Sequence, residues 1–384
     1  MMLPPLPRLD IRTTNRQRAA GCRSTTACRL VWLVLLVLFV TLPRMAVAVI
    51  VVSTGDPAYN TTAPTGTLTN SGWQYQGTWG VYLGTPIASR YFLTATHVHG
   101  NVGDAFHFRG VDYATTAVFI DTNSDLSVWR ICGTFPDYAP LYSLSNESGK
   151  TVTVFGRGTQ RGADVVVDNL TMSVLKGWQW GPSDNVERWG TNVVTSVINP
   201  AGFLKCNFDA AGGADEADLS VGDSGGGVFI RDGTVWKLAG INYSVDGPFN
   251  TSTNGGGFYG AIFDEGGLYH QVVTSVSTNW VLTPDVPTDL PSAFYSTRVS
   301  SRLDWISSVI DPSSTPADPP TLLFSASDVA GPYANMPSAT VDANAKTVTV
   351  PKPVSTQFYR LQACAPSRII SIVINGAMLV ISYQ

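Results

Sequence analysis

Between Trp73 and about Val281 the chain is a succession of short apolar or alternating runs, interrupted every few residues by Gly, Asn, Asp or Pro. Among them are WGVYLGTPIA (79–88), AVFI (117–120), LSVWRI (126–131), TVTVFG (151–156), DVVVDNLTMSVL (164–175), GGVFI (226–230) and VWKLAGINYS (235–244). Such runs are rich in β-branched and aromatic residues, which suit a pleated, half-buried surface. Close spacing with turn residues between them, and no long stretch of helical period, argues an all-β barrel or sandwich. The one good helix candidate is SSRLDWISSVI (300–310), in which Leu303, Ile306 and Ile310 recur at helical spacing and a preceding serine is a candidate cap.

At 384 residues the chain has room for two or three domains. Residues 1–48 read as a signal peptide: six arginines precede the apolar run Leu30–Leu42, and Ala46-Val47-Ala48 offers small residues for cleavage. Val47–Val52 could instead extend the run into an uncleaved anchor. From Asp311 to Pro320 there are four prolines in ten residues, through which neither helix nor ladder can run. Residues 312–320 are therefore expected to be a linker, and 321–384 a second, smaller β-sandwich-like domain. Its strand candidates are LLFSAS, KTVTV, FYRLQA and RIISIVI, the last joined through Asn375-Gly376 to AMLVISY as a type I′ hairpin.

Apolar content of 44% against 14% charge fits a globular chain rather than a disordered one. Removing the leader takes seven of the 24 Lys and Arg and one of the 28 Asp and Glu. That leaves 17 against 27, a net charge of −10 that speaks against a nucleic-acid partner. Three cysteines remain, Cys132, Cys206 and Cys364; Cys132 with Cys206 is one candidate bridge in an oxidising compartment, leaving Cys364 free. The spacing of Cys and His calls for no cofactor. Sequons occur at Asn60, Asn146, Asn169, Asn242 and Asn250.

Chemistry concentrates at Gly222-Asp223-Ser224-Gly225-Gly226-Gly227. Glycines on both sides of one serine allow a tight fold and keep side chains away from its hydroxyl and from the neighbouring N–H groups. Amide hydrolysis needs such a hydroxyl beside a base, an acid that holds the base in the right tautomer, and donors aimed at the developing oxyanion. Ser224 is the candidate nucleophile, His97 the base and Asp125 the orienting acid, with the N–H groups of Gly222 and Ser224 as the oxyanion hole. Losing one such donor typically raises the barrier by about 3–4 kcal/mol. Asp104, Asp112 and Asp121 compete with Asp125, which is preferred because a buried strand follows it at once. His97-Val98-His99 could be read as a metal pair, but no third ligand stands at a recognisable spacing. The hexapeptide also satisfies the nucleophile elbow of α/β-hydrolase esterases, a fold that needs alternating helices and an acid and histidine after the serine. A barrel protein of the cell surface with a dead site is the remaining alternative.

LTATHV (93–98), SDLSVWRI (124–131), GDSGGGVF (222–229) and FYSTRVSSRLDWI (294–306) together resemble the chymotrypsin/trypsin-like serine protease family. The likeness spans roughly residues 73–310. It implies two six-stranded antiparallel β-barrels with a C-terminal helix over residues 49–311, an active site in the cleft between barrels, and protein or peptide substrates. His97, Asp125 and Ser224 match that family's triad and Gly222 its oxyanion donor. Asp218, six residues before Ser224, matches the position that selects Lys or Arg at the cleavage site. Two features depart from the pattern. Val49-Ile50-Val51-Val52 lacks the glycines of the family's activated amino terminus, so Asp223 is expected to need another partner. The cysteines that flank the nucleophile loop are absent, so packing must hold its shape. Residues 325–362 look like an accessory β module of secreted bacterial proteins, which implies an extracytoplasmic location and cell-surface attachment through the C-terminal domain.

Overall fold

The computed structural model describes residues 49–384 except 169–171, 201, 274–276, 312–320 and 365–366. The leader, the proline-rich linker and Asn169 lie outside the described residues. Gly77–Trp79 (β1), Tyr82–Ala88 (β2), Tyr91–Ala95 (β3), Ala105–Phe108 (β4), Val111–Ile120 (β5) and Leu126–Ile131 (β6) close into an antiparallel barrel in the order β1-β2-β3-β6-β5-β4. The apolar run at 79–88 is thus two strands rather than one, because Gly80 at φ 60° turns the chain between them. This barrel is filled by aromatics: Phe92 stacks on Phe106 at 4.0 Å and Trp79 leans on Trp129 at 4.7 Å.

Thr151–Gly156 (β7), Arg188–Ile198 (β8), Phe203–Asn207 (β9), Gly227–Asp232 (β10), Val235–Val245 (β11) and Ala293–Arg298 (β12) form the second closed barrel, ordered β8-β9-β12-β11-β10-β7. Its core is mainly aliphatic, with Val152, Val154, Val194, Leu204, Val228 and Ile230 all buried. Two six-stranded antiparallel barrels are the architecture that the sequence likeness implied. Two connections of the second barrel are long and carry strands of their own. The connection at 157–187 contributes the antiparallel strand pair Thr159–Asp168 with Ser173–Ser183. Residues 246–292 contribute Gly260–Ile262, which pairs with the second of these strands from Gly177↔Ile262 to Gln179↔Gly260.

Leu303–Ile310 is a helix (α1) entered through a short turn at Ser300–Arg302. Ile306 is fully buried in a cluster that also holds Leu126, Val128 and Leu238, so the helix is fixed by its apolar face. The expected serine cap is not made: Ser300 Oγ donates to Glu147 Oε1 at 2.5 Å, and Ser301 Oγ to the Arg298 carbonyl. Glu147 also receives the Arg298 fork, with Nε and Nη2 each 2.8 Å from one carboxylate oxygen. Burial alone would push the Glu147 carboxyl up; the bonds from Arg298 and Ser300 outweigh it and hold the carboxyl below its ordinary 4.5. Stability from this pair is therefore expected to be present above the ordinary carboxylate range and lost as pH falls through the lowered value. Removing the carboxylate by Glu147→Ala strands a buried guanidinium and should cost about 3–5 kcal/mol, measured by denaturant unfolding at pH 7. A loss that does not shrink as pH falls through the acid range would contradict the assignment.

Cysteine pairing differs from the expected one. Cys132, just after β6, is bridged to Cys364, with Cα atoms 4.7 Å apart, and Cys206 is free. Cys206 lies on β9 with its side chain fully buried in the second barrel's core, and burial pushes its thiol well up. Near the C-terminus two small sheets share one core of Leu323, Val348, Val350, Leu379, Ile381 and Tyr383. In the last hairpin Asn375 pairs with Met378, so the turn centres on Gly376-Ala377, one residue later than the Asn-Gly signal suggested, with Gly376 at φ 61°.

Candidate active site

The ladder between β3 and β6 sets the first half of the site. Its last pair is Ala95↔Leu126, and one step further the Thr96 N–H donates to the Asp125 carbonyl at 2.9 Å. The chain after β3 then tightens into a single turn at Thr96–Val98. His97 and Asp125 are brought side by side. The His97 N–H donates to Asp125 Oδ1 at 3.0 Å, and His97 Nδ1 is 2.6 Å from Asp125 Oδ2. None of the competing acids meets His97. Asp104 accepts from Asn101, Asp112 pairs with His107, and Asp121 accepts from Asn123 and Ser124. His99 points its carbonyl at Trp79 Nε1.

Ser224 arrives from the other barrel, on the turn that leads into β10. This turn presses on β2 and β3: a Cβ on Gly225, which has φ 78°, would stand 2.4 Å from the Leu83 carbonyl oxygen and 2.3 Å from Thr94 Oγ1. Only glycine permits that approach. Across the cleft His97 Nε2 lies 2.8 Å from Ser224 Oγ. With Nδ1–H donated to Asp125, Nε2 is left to accept the serine hydroxyl. Asp223, Gly225 and Gly226 donate their N–H groups to Ser220, Asn242 and Asp223 carbonyls. Among the described residues, no hydrogen bond takes the N–H of Gly222 or Ser224, and Gly222 adopts φ 99°.

Packing replaces the missing cysteines through a set of hydrogen bonds that no motif announces. Asn242 on β11 is fully buried and its Nδ2 donates to the Phe155 and Asp223 carbonyls, at 2.8 and 3.0 Å. That atom is the one a glycan would need, so the sequon at 242 is closed by the fold. Gln76 ties the barrels together, donating to Thr85 and accepting from the Gly227 N–H. Asp223 is buried and accepts from the Gly158 N–H, from the Ser220 N–H and hydroxyl, and from the backbone N–H of Val49. Burial, the largest influence, pushes its carboxyl up to about 6 against the pull of these donors. The absence of glycines thus does not keep the 49–52 stretch away from Asp223. Ile50 and Val51 pair with Asp218 and Ala217, and the Val52 N–H donates to Glu216. Arg161 Nη2 donates to the Val51 and Val52 carbonyls at 2.7 Å while its guanidinium lies 3.6 Å from the Trp178 ring centroid.

A cavity of about 410 Å³ opens beside Ser224. Trp180, Leu219, Val221, Tyr243, Val245 and Tyr259 are among its walls. Asp218 is not among them, contrary to the sequence expectation. It sits fully buried on the two-residue strand paired with Ile50–Val51, its carboxylate accepting from the Leu219 N–H at 2.8 Å. Burial pushes this carboxyl well above its ordinary value, so it is a poor partner for an incoming cation.

No protein-family model and no curated protein matches the chain. Among solved structures it is similar to neuropsin, a serine protease expressed in the limbic system of mouse brain. The identity is 14%, the match covers 63% of this chain and 96% of that one, and the TM-score is 0.38. The fold assignment rests on the two closed barrels and not on this likeness.

Proposed function

We propose that the chain is a serine endopeptidase that cleaves peptide bonds through an acyl-enzyme. The observation that carries this reading is the pair of contacts on one imidazole, 2.6 Å to Asp125 and 2.8 Å to Ser224. In the proposed reaction Nε2 takes the Ser224 proton as Oγ attacks the substrate carbonyl. Asp125 holds the ring and balances the imidazolium, and the N–H groups of Gly222 and Ser224 receive the oxyanion. The imidazolium then returns its proton to the leaving amine. A water repeats the sequence to free the acyl group. An esterase elbow is disfavoured by the barrels and by the order of the three residues along the chain. A fluorophosphonate probe tests the reading: it should label the folded protein at Ser224 and fail to label Ser224→Ala. A wild-type protein that neither labels nor cleaves a denatured protein substrate would refute it.

We also propose that processing before Val49 matures the enzyme. A cut after Ala46-Val47-Ala48 turns the Val49 N–H, already a donor to Asp223, into an ammonium at the same atom. An ammonium there would neutralise a carboxylate whose other partners among the described residues are all uncharged.

A further inference from the structure

We propose that the cavity beside Ser224 takes an aromatic or large aliphatic side chain of the substrate, selected by Trp180 and Tyr259; this rests on the endopeptidase reading above. The two residues come from the two long connections of the second barrel, one from each. Their rings are stacked, with centroids 4.8 Å apart and planes at 17°. The Trp180 N–H donates to the Tyr259 carbonyl at 2.9 Å, and the ladder at Gly177–Gln179 with Gly260–Ile262 fixes the pair from behind. The result is a braced pair of aromatic side chains on the cavity wall. Tyr243 adds a third ring, which is stacked on Phe203 at 4.7 Å and 7° and meets the His97 ring edge-on at 5.8 Å.

Charge argues in the same direction. Among the described residues, the ionisable side chains on the wall other than tyrosines are His97 and Asp223. His97 is engaged with Asp125 and Ser224, and both Asp223 oxygens are taken by backbone and serine donors. Neither a lysine nor a carboxylate entering the cavity finds an opposite charge, and each would be desolvated without return. A ring entering beside these aromatic side chains gains both burial and ring–ring contact. About 410 Å³ is ample for one side chain of that size.

Digestion of a denatured protein mixture by the full processed chain tests this. Phe, Tyr, Trp and Leu should be enriched at the residue that donates the attacked carbonyl, and Lys, Arg, Asp and Glu depleted. On matched peptides, kcat/KM for Phe at that position should exceed that for Ala by about 100-fold. Trp180→Ala and Tyr259→Ala should each reduce this ratio about tenfold, whereas Tyr259→Phe, which keeps the ring, should preserve it. Lys or Arg at the cut position, or a ratio unmoved in both alanine variants, overturns the proposal. Probe labelling of wild-type Ser224 separates the two levels of inference. Labelling without aromatic preference defeats only the assigned selectivity; no labelling and no cleavage defeats the endopeptidase reading and this one with it.

Discussion

Alanine at position 224 is expected to lower kcat against a peptide substrate by about 10⁶-fold. The serine oxygen is the atom that bonds to the substrate carbon, and Ala leaves His97 with no alcohol to activate. His97→Ala should cost about as much, and the double variant little more than either, because the two residues act as one unit. Asp125→Asn should fall by about 10⁴-fold, since an amide at 2.6 Å from Nδ1 favours the wrong tautomer. Rates fitted from initial velocities at saturating peptide measure all four. Additive losses in the double variant would rule out the concerted role assigned to the pair.

The second large effect concerns Val49, whose backbone N–H donates to Asp223. A preparation starting at Val49 should be about 10²–10³-fold more active than one retaining residues before it, the range expected when a buried charge gains or loses its opposite partner. In the uncut chain the Asp223 carboxyl stands at about 6. A neighbouring ammonium favours the charged form and draws that value down. The acid limb of the activity profile should accordingly move to lower pH after the cut. Asp223→Asn should remove the difference between the two preparations, because the amide has no charge for the ammonium to balance. Equal rates for cut and uncut wild-type chains, measured on the same peptide, would overturn this assignment.

How much of this was legible beforehand depends on distance along the chain. The strands were readable where each run carries its own alternation and turn residues, as at Leu126–Ile131 and Thr151–Gly156. The placement of His97 and Asp125 followed for the same reason: each hangs on the end of a strand whose pattern is plain, and pairing of those strands does the rest. What could not be read is what depends on partners far away. Trp180 and Tyr259 meet through strands some 80 residues apart, and neither sits in a motif. Asn242 looked like a sequon because a triplet does not reveal that its side chain faces inward. Asp218 was misplaced because counting six residues back from a serine assumes a loop of standard shape, whereas here the segment is drawn into a ladder with Ile50. The cysteine pairing was missed because inward orientation on a strand, rather than number, decides which thiols can meet.

The Cys132–Cys364 bridge spans 232 residues of sequence, among them Ser224 and all of the second barrel. Between those two positions the protein is a covalent ring. A single break inside the ring leaves every atom joined to every other, so a nick by any protease between residues 133 and 363 sheds nothing until the bridge is also opened.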